Sequence, residues 1–379
     1  MFEQAAMLRR QGGGPVHDLS LGNPSLEPPA RWTQALHDLL DDPAPGMHRY
    51  MTNAGFPEVR EFIAGREGLR FGLPIHAEHI TMTVGAAGGL NVLMRSMLDP
   101  GDEVLVPVPY FTEYDHYCDN AGARLVKAPC ADGFALDVDA IVSRLSPRTR
   151  LVLVNSPNNP SGVVYEGANL DRLAAALRKA NEARQTPVFV VEDSPYRDLM
   201  HDGSAAGSMM TRYEHTVHLT SHSKDLGLAG ERIGYIVLSP RAHGGELLAR
   251  AFAFCNRVLG FVNAPALMQR ALPRVLGHPD GRVDVGVYAR RCRRMTEGLR
   301  ALGFGVLPPR AGFFVFPGLP SALRDDTGGD IALTERLLAE RTIVVPGTAF
   351  GVPGHLRLSM AADDEAVEGA LQALGRVCG

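Results

Sequence analysis

The segment Ser221-His-Ser-Lys224-Asp-Leu-Gly-Leu-Ala-Gly230-Glu-Arg232-Ile-Gly234 follows a short apolar run that is typical of a buried strand. In an α/β sheet, ligands bind beyond the carboxyl ends of the strands, so we expect Lys224 to face the ligand edge. A lysine amine that loses its water there becomes a nucleophile able to form an imine with a carbonyl. The planar donor fork of Arg232, eight residues on, suits a phosphate.

Two other interpretations of Lys224 have to be weighed. A lone lysine after a strand is more often a solvated loop residue than a nucleophile. The letters Ser221-x-x-Lys224 also match the nucleophile motif of penicillin-recognising serine hydrolases, which needs a Lys-Thr-Gly strand further along the chain. No lysine follows Lys224, so that motif is incomplete. All but three of the 38 Lys and Arg residues are arginines, and the other two lysines, Lys127 and Lys179, have no such neighbours.

Three further motifs lie at the ends of predicted strands. The run Glu192-Asp193-Ser-Pro-Tyr196 puts a carboxylate where burial requires a cation, such as a protonated ring nitrogen, although Asp193 could equally cap a helix. Residues 155–162, Asn-Ser-Pro-Asn-Asn-Pro-Ser-Gly, predict a rigid turn that could hold one amide against a ligand. Gly85-Ala-Ala-Gly-Gly89 separates a strand from a helix, where free N–H groups favour a phosphate.

Alternation along the chain predicts an α/β fold with a large and a small domain. Short β-branched runs alternate with helical patterns, which indicates a mostly parallel sheet flanked by helices. Beyond about residue 275 the pattern becomes that of a smaller α+β domain. We expect residues 1–40 to pack on the small domain, 41–275 to form the large domain and 276–379 the small one. At least six strands are predicted, at 79–84, 103–107, 150–155, 188–191, 217–220 and 233–238.

Composition and charge exclude several classes of protein. Of the 379 residues, 45% are hydrophobic and 21% charged, which excludes a disordered or collagen-like chain. A net charge of −4 without basic-aromatic runs predicts no nucleic-acid partner, and no apolar run is long enough to predict a membrane partner. Five cysteines without close pairs and a start without a signal segment predict a cytoplasmic protein with neither a disulfide framework nor a metal site.

In this order, the motifs resemble those of the fold type I pyridoxal phosphate enzymes, specifically the class I/II aminotransferases related to aspartate aminotransferase. The resemblance runs from Leu21-Gly-Asn-Pro24 to Leu356-Arg-Leu-Ser359, nearly the whole chain. The family's motifs Ser-x-Ser-Lys, Gly-x-Arg-x-Gly, Asn-Pro-Thr-Gly and Asp-x-x-Tyr are matched, respectively, at residues 221–224, 230–234, 159–162 and 193–196. Serine replaces threonine in the third motif, which keeps a hydroxyl.

The resemblance implies pyridoxal 5'-phosphate as the cofactor and a role for each residue around its ring. Lys224 would carry the internal aldimine, and Asp193 would bind the pyridine nitrogen. Tyr196 and Asn159 would hold the 3-oxygen of the ring, and Phe111 of Pro109-Tyr-Phe111 would stack on its face. Lys224, Asp193 and Tyr196 are therefore the expected catalytic residues.

The resemblance also implies residues for the phosphate and for the substrate. The substrate's α-carboxylate would pair with Arg357, beside Asn159, while the loop at Gly22 closes over the substrate. Tyr50 would reach the phosphate of the partner subunit in a homodimer. The phosphate itself would be held by Gly85, Ala86, Ala87, Ser221, Ser223 and Arg232.

The activity implied by the resemblance is transfer of the amino group of an L-amino acid to a 2-oxo acid by a ping-pong mechanism through the Lys224 aldimine. The alternative on the same scaffold is β- or γ-elimination, replacement or carbon–carbon bond formation in a specialised biosynthetic pathway. A transcriptional regulator with such a domain would need an added helix-turn-helix segment, and we expect no room for one before residue 21. In the aspartate enzymes a partner-subunit arginine takes the second carboxylate; Arg257 lies near the corresponding stretch, which leaves a dicarboxylate substrate open.

Overall fold

The structure is a computed structural model that describes residues 2–323 and 329–378. Within those ranges, no helix has the length and apolar content needed to cross a membrane. The helices are α1 (Phe2–Gln11), α2 (Ala30–Asp41), α3 (Pro57–Phe71), α4 (Gly85–Met97), α5 (Glu113–Asn120), α6 (Val138–Val142), α7 (Gly167–Asn181), α8 (Gly245–Val258), α9 (Ala266–Leu276), α10 (Gly286–Ala301), α11 (Gly329–Ala339) and α12 (Asp364–Cys378). The strands are β1 (His17–Asp18), β2 (Ile80–Val84), β3 (Glu103–Val108), β4 (Arg124–Pro129), β5 (Thr149–Asn155), β6 (Phe189–Asp193), β7 (Thr216–Ser221), β8 (Ile233–Leu238), β9 (Phe314–Val315), β10 (Thr342–Ile343), β11 (Val345–Pro346) and β12 (Leu356–Ser359).

A seven-stranded sheet with the order β2-β8-β7-β6-β5-β3-β4 forms the large domain. Strand β8 runs antiparallel to β2 and β7, and the other neighbours are parallel. The predicted α/β fold class is confirmed, and each of the six predicted strands is present. The edge strand β4 is additional, because its half-exposed sequence Arg-Leu-Val-Lys-Ala-Pro lacks the continuous apolar run of a central strand.

Helices cover both faces of this sheet, and the side chains of each strand alternate between them. On β3, Val104 and Val106 pack in the cluster that includes α4, α5 and α8, whereas Leu105 between them packs with α6 and α7. Because helices cover both faces of the sheet, a ligand can bind only beyond the carboxyl ends of the parallel strands. We call this side of the sheet its open edge. Strands β5, β6 and β7 end at that edge with Asn155, Asp193 and Ser221.

The small domain packs α10, α11 and α12 on a three-stranded antiparallel sheet with the order β11-β12-β9. The predicted helices at 288–302, 331–341 and 365–376 correspond to these three helices. Strand β12 carries Arg357, and strand β9 begins with Phe314. The small domain therefore brings a cation and an aromatic side chain to the open edge of the large sheet.

The first forty residues divide between the two domains. Strand β1 pairs in parallel with β10, and Leu19 is buried in the core of the small domain. Helix α2 instead packs on α9, and its buried residues Trp32, Ala35 and Leu39 share a cluster with β2 and β8. This differs from the expectation that residues 1–40 pack together on the small domain. The apolar stripe of α2 finds its matching surface on the large domain because α9 and the end of the sheet are there.

Candidate active site

A cavity of about 390 Å³ lies between the open edge of the large sheet and the small domain. The carboxyl ends of strands β5, β6 and β7 line one side of the cavity, and β12 with the segment around Phe350 lines the opposite side. The predicted site residues that line this cavity are Gly22, Ala86, Ala87, Phe111, Asn159, Asp193, Tyr196, Ser221, Ser223, Lys224, Arg232 and Arg357. Residues far apart in the chain therefore meet in one place, as the motifs predicted.

Two of the predicted residues do not line the cavity. Gly85 is the first residue of α4, and its backbone lies against the guanidinium of Arg232, which does line the cavity. Tyr50 is 87% exposed and is not among the residues that line this cavity. Arg257, in the last turn of α8, is exposed and does not line the cavity either.

Lys224 presents its amine to the cavity from the loop after β7. Its Nζ donates a hydrogen bond to the backbone oxygen of Gly22 at 2.5 Å, which ties the N-terminal loop across the cavity. Burial lowers the pKa of Lys224 to about 8, and the charges of Arg232 and Arg357 act in the same direction. About a tenth of the amine is therefore unprotonated at pH 7, and this is the form that attacks a carbonyl.

Asp193 ends β6 with one carboxylate oxygen paired and the other free. Tyr114 Oη donates to Oδ2 at 2.6 Å, while Oδ1 is buried without a hydrogen-bond partner among the described residues. Burial raises the pKa of Asp193 to about 6, although the hydrogen bond from Tyr114 acts to lower it. The chain makes a turn after Asp193, so the helix-cap interpretation is wrong. A free buried carboxylate oxygen fits the protonated nitrogen of a pyridine.

The first turn of α4, Arg232 and two serines form one corner of the cavity. Gly85 has a φ of 66°, and a Cβ there would lie 2.8 Å from Arg232 Nη2, so the close approach of backbone and guanidinium needs glycine. Ser221 Oγ donates to Ser223 Oγ at 3.2 Å, and both hydroxyls are buried. Free backbone N–H groups, a guanidinium and hydroxyls in one corner suit a phosphate dianion.

Arg357 lines the cavity from the small domain and is held on several sides. The rings of Phe314 and Phe350 each lie 4.8 Å from its Cζ, and Nη1 donates to Asn159 Oδ1 at 3.2 Å. Its Nη2 donates to the backbone oxygen of Ser20, while Nε is buried without a partner in the described chain. Burial lowers the pKa of Arg357 to about 10, which leaves it charged at neutral pH. Such a guanidinium fits a carboxylate.

The rigid turn predicted at 155–162 is present and positions Asn159. Asn155 Oδ1 accepts from the backbone N–H of Asn159 at 2.7 Å, and Asn158 Oδ1 accepts from the N–H and hydroxyl of Ser161 at 3.0 and 2.7 Å. Tyr196, the remaining predicted ring contact, is buried edge-on against the rings of Phe313 and Phe314. Burial raises its pKa, so its hydroxyl is a hydrogen-bond donor at neutral pH.

Sequence reasoning missed several residues of the site. Tyr114, which pairs with Asp193, is three residues after Phe111, and Thr112, Glu113 and Tyr117 in the same stretch line the cavity. A signal was present, because these polar and aromatic residues follow β3 at the same sheet edge as the recognised motifs. No group of three or more His, Cys, Asp or Glu side chains in the described part of the chain could hold a metal ion.

Comparisons with known proteins agree with this geometry. A sequence model of the family described as aminotransferase class I and II matches residues 15–374. The aspartate/prephenate aminotransferase of Thermus thermophilus is 32% identical over 383 residues, covering 99% of this chain and 94% of that protein. The aspartate aminotransferase of Rhizobium meliloti is 30% identical over 395 residues, covering 99% and 92%.

Solved structures show the same relationship. An amino transferase from Eubacterium rectale superposes with a TM-score of 0.91 at 32% identity, covering 99% of this chain and 92% of that one. The aspartate aminotransferase from Thermus thermophilus, solved with maleate, superposes with a TM-score of 0.89 at 31% identity, covering 99% and 95%. The similarity therefore extends over nearly the whole of this chain.

Proposed function

Because this chain belongs to the class I and II aminotransferases, we propose that it transfers the amino group of an L-amino acid to a 2-oxo acid by a ping-pong mechanism. It is a pyridoxal phosphate-dependent enzyme, as the family is. The observation that carries the proposal is the meeting, in one cavity, of the Lys224 amine with its lowered pKa, the free carboxylate oxygen of Asp193 and the Arg357 guanidinium. In such a mechanism the amino donor binds and leaves as its 2-oxo acid before the acceptor 2-oxo acid binds.

The residues of the cavity fit the cofactor group by group. Lys224 is the amine that would attach to its aldehyde, Asp193 Oδ1 would accept from its ring nitrogen, and Phe111 would cover its face. Tyr196 and Asn159 would hold its 3-oxygen. When bound, the cofactor supplies an aldehyde that condenses with amines and a protonated ring that takes up electrons from Cα. Its phosphate would lie on the first turn of α4 with Ser221, Ser223 and Arg232.

The chain's own residues then orient the substrate and move one proton. Arg357 would bind the α-carboxylate, which places the substrate's Cα next to Lys224. The unprotonated Nζ of Lys224 would take the proton from Cα, and the protonated Nζ would later return one. Phe314 and Phe350 cover this part of the cavity and limit the access of water.

We also propose a homodimer in which each subunit completes the site of the other. Leu247, Phe254 and Val258 form an exposed apolar stripe on α8, with 66%, 61% and 53% of each side chain accessible. Tyr50 is exposed on a segment that hydrogen bonds to this part of the chain, since Asn256 Nδ2 donates to the backbone oxygen of Asn53 at 2.8 Å. A second copy packed on the stripe would bring Tyr50 toward a neighbouring site.

The direct test is a screen of amino donors and 2-oxo acid acceptors followed by absorbance. Transamination converts the bound cofactor to its amine form when a donor is added alone, and an acceptor restores the original absorbance. Aspartate and prephenate, which appear in the name of a relative, belong in the screen together with amino acids that have neutral and basic side chains. If donors release an oxo acid and ammonia while the absorbance stays unchanged, the enzyme is a lyase and the proposal fails.

Lys224→Ala tests the attachment residue in the same preparation. Borohydride treatment of the wild-type holoenzyme should add the mass of the reduced cofactor to the peptide that contains Lys224, and the variant should gain no such mass. Lys179→Ala, on the exposed side of α7, is the matched control and should keep both the adduct and the activity. An adduct on another lysine in the wild type would contradict the assignment.

A further inference from the structure

The charges that line the cavity leave one carboxylate unassigned. The charged side chains among the described lining residues are Glu113, Asp193, Lys224, Arg232 and Arg357. The proposed function employs four of them, for the ring nitrogen, the cofactor's aldehyde, the phosphate and the substrate's α-carboxylate. No cation of this chain is then left in the cavity for a second substrate carboxylate, and the group that remains is the anion of Glu113.

Glu113 is the first residue of α5 and is open to the cavity. Thr112 Oγ1 donates to its Oε2 at 3.0 Å, and in the described ranges it forms no ion pair, because neither Lys224, Arg232 nor Arg357 lies within 4.0 Å of its carboxylate. Most of its acceptor capacity is therefore free. Acidic residues favour the first turn of a helix, but Asp115 fills that role in the same turn while hydrogen bonded to Tyr110 outside the cavity.

Glu113 lines the same cavity as Tyr117, Tyr196 and Arg357, so its carboxylate is in the space where the substrate would bind. Burial and then the charge of Glu113 raise the pKa of Tyr117, another lining residue, to about 12. The same charge also acts on Tyr196 and on Arg357. With the α-carboxylate on Arg357, the substrate's side chain shares this cavity with the carboxylate of Glu113.

We propose that Glu113 selects the substrate, and that the preferred amino donor carries a positively charged ammonium or guanidinium group on its side chain. A carboxylate with no cation of its own binds such a group through a charge-assisted hydrogen bond and repels a second carboxylate. This inference rests on the proposed function, because it requires the α-carboxylate on Arg357. It departs from the relatives, whose names specify aspartate.

The test compares kcat/KM for basic, neutral and acidic donors in the holoenzyme and in Glu113→Gln, which keeps the side chain's size. Arginine and ornithine represent the basic class, methionine the neutral class, and aspartate and glutamate the acidic class. We expect the wild type to prefer basic over acidic donors by at least about tenfold, and the variant to lower the ratio of basic to neutral kcat/KM by at least about tenfold. Asp115→Asn, in the same turn but outside the cavity, should leave that ratio unchanged.

A binding measurement separates recognition from turnover. Calorimetry with the holoenzyme uses three carboxylates without an α-amine: 5-guanidinopentanoate, pentanoate and glutarate. Glu113→Gln should weaken binding of 5-guanidinopentanoate about tenfold or more, and should strengthen binding of glutarate relative to pentanoate. Equal effects on all three compounds would overturn the inference.

The two proposals fail in distinguishable ways. If no donor of any class converts the cofactor to its amine form, the proposed function fails and this inference fails with it. If donors are converted but aspartate is preferred and Glu113→Gln leaves the order of donors unchanged, only the inference is overturned. A preference for neutral donors that Glu113→Gln does not alter overturns it as well.

Discussion

Lys224 and Asp193 show one physical effect acting on groups of opposite charge. Burial disfavours the charged form of both, so it lowers the pKa of the amine to about 8 and raises that of the carboxyl to about 6. Each group is thus displaced toward neutrality in the protein alone. A ligand that offers a cation to Asp193 and a carbonyl to Lys224 relieves both effects, which is a physical reason for this pair to bind a pyridine aldehyde.

The lowered pKa of Lys224 predicts how the apoprotein titrates. The ordinary pKa of a lysine is 10.5, so between about pH 8 and 10.5 Lys224 is unprotonated in the folded protein and protonated in the unfolded one. We expect reaction of the apoprotein with a small amine-directed reagent, followed by peptide mass, to show a midpoint near pH 8 at Lys224. Below that pH the reactive fraction falls about tenfold per unit. A midpoint near 10.5, as in a lysine-containing model peptide, would contradict the role of burial.

Arg232 and Arg357 illustrate what a residue needs beyond its own chemistry. Arg232 has a φ of 53°, a left-handed conformation that is unfavourable for a residue with a side chain, and it holds its guanidinium against Gly85. Arg357 depends on two aromatic faces and on Asn159 for its orientation. In both cases the sequence motif identifies the residue, while the surrounding packing fixes the orientation of its side chain.

At the scale of elements, the end of β6 serves two environments. Successive side chains of a strand point to opposite faces, so Asp193 faces the cavity while Glu192 faces a buried polar network. In that network Arg197 donates to both oxygens of Glu67, at 2.9 and 2.6 Å, and its Nη1 lies 2.6 Å from His218 Nε2. Since an arginine can only donate, His218 Nε2 accepts and its Nδ1 donates to Glu192 at 2.8 Å. The network joins α3 and β7 to the strand that carries Asp193.

The ion pair between Glu67 and Arg197 predicts that the free energy of unfolding depends on pH in the acidic range. Desolvation alone would raise the pKa of Glu67, but the charge and hydrogen bonds of Arg197 lower it to about 2 from an ordinary 4.5. Its stabilising contribution is therefore complete above about pH 4.5 and is lost as the pH falls toward 2. We expect Glu67→Gln to lower the free energy of unfolding at pH 7 by about 3 kcal/mol, because, among the described residues, the buried Arg197 then keeps only the carboxylate of Asp198, at 3.5 Å.

The measurement is urea unfolding of wild type and variant between pH 7 and pH 2.5. The difference between the two proteins should narrow as the pH falls below about 4.5. Glu58→Gln is the matched control, since Glu58 lies in the same helix but forms an exposed pair with Arg270 at 3.1 Å. That pair should contribute less than about 1 kcal/mol. A constant difference across the pH range would show that Glu67 acts by packing alone.

At the scale of the molecule, the apolar stripe on α8 is the surface on which assembly should depend. Leu247, Phe254 and Val258 are spaced by seven and four residues, so they lie on one face of the helix. We expect Phe254→Glu to shift the protein toward the monomer and to weaken cofactor binding, because the proposed contact of Tyr50 with the partner's phosphate is lost. In a two-fold symmetric dimer each substitution places two charges in the interface.

Light scattering coupled to gel filtration checks the mass of Phe254→Glu across a range of protein concentrations. Ile331→Glu is the control, because Ile331 is an exposed apolar residue, 44% accessible, on α11 of the small domain. Its mass and cofactor affinity should equal those of the wild type. If Phe254→Glu keeps the wild-type mass at every concentration, the stripe is not the dimer interface.

Local patterns were sufficient to predict the fold class, the motif residues of the site and six of the seven strands of the large sheet. They were sufficient because periodicity and turn chemistry act over a few residues, and because Lys224, Asp193 and Asn159 each follow a recognisable strand. The same patterns could not place helix α2, since its apolar stripe is compatible with either domain until the surface of α9 is present.

Contacts between distant segments were decided only by the tertiary structure. Tyr114 meets Asp193 across 79 residues and Arg357 meets Asn159 across 198, and neither pairing leaves a spacing that a sequence reveals. The place of Glu113 in the cavity has the same origin, because that cavity is formed by residues of both domains, among them Phe350 and Arg357 of the small one. The sequence by itself determined the cofactor chemistry through short motifs, whereas the charge around the substrate's side chain depends on packing between domains.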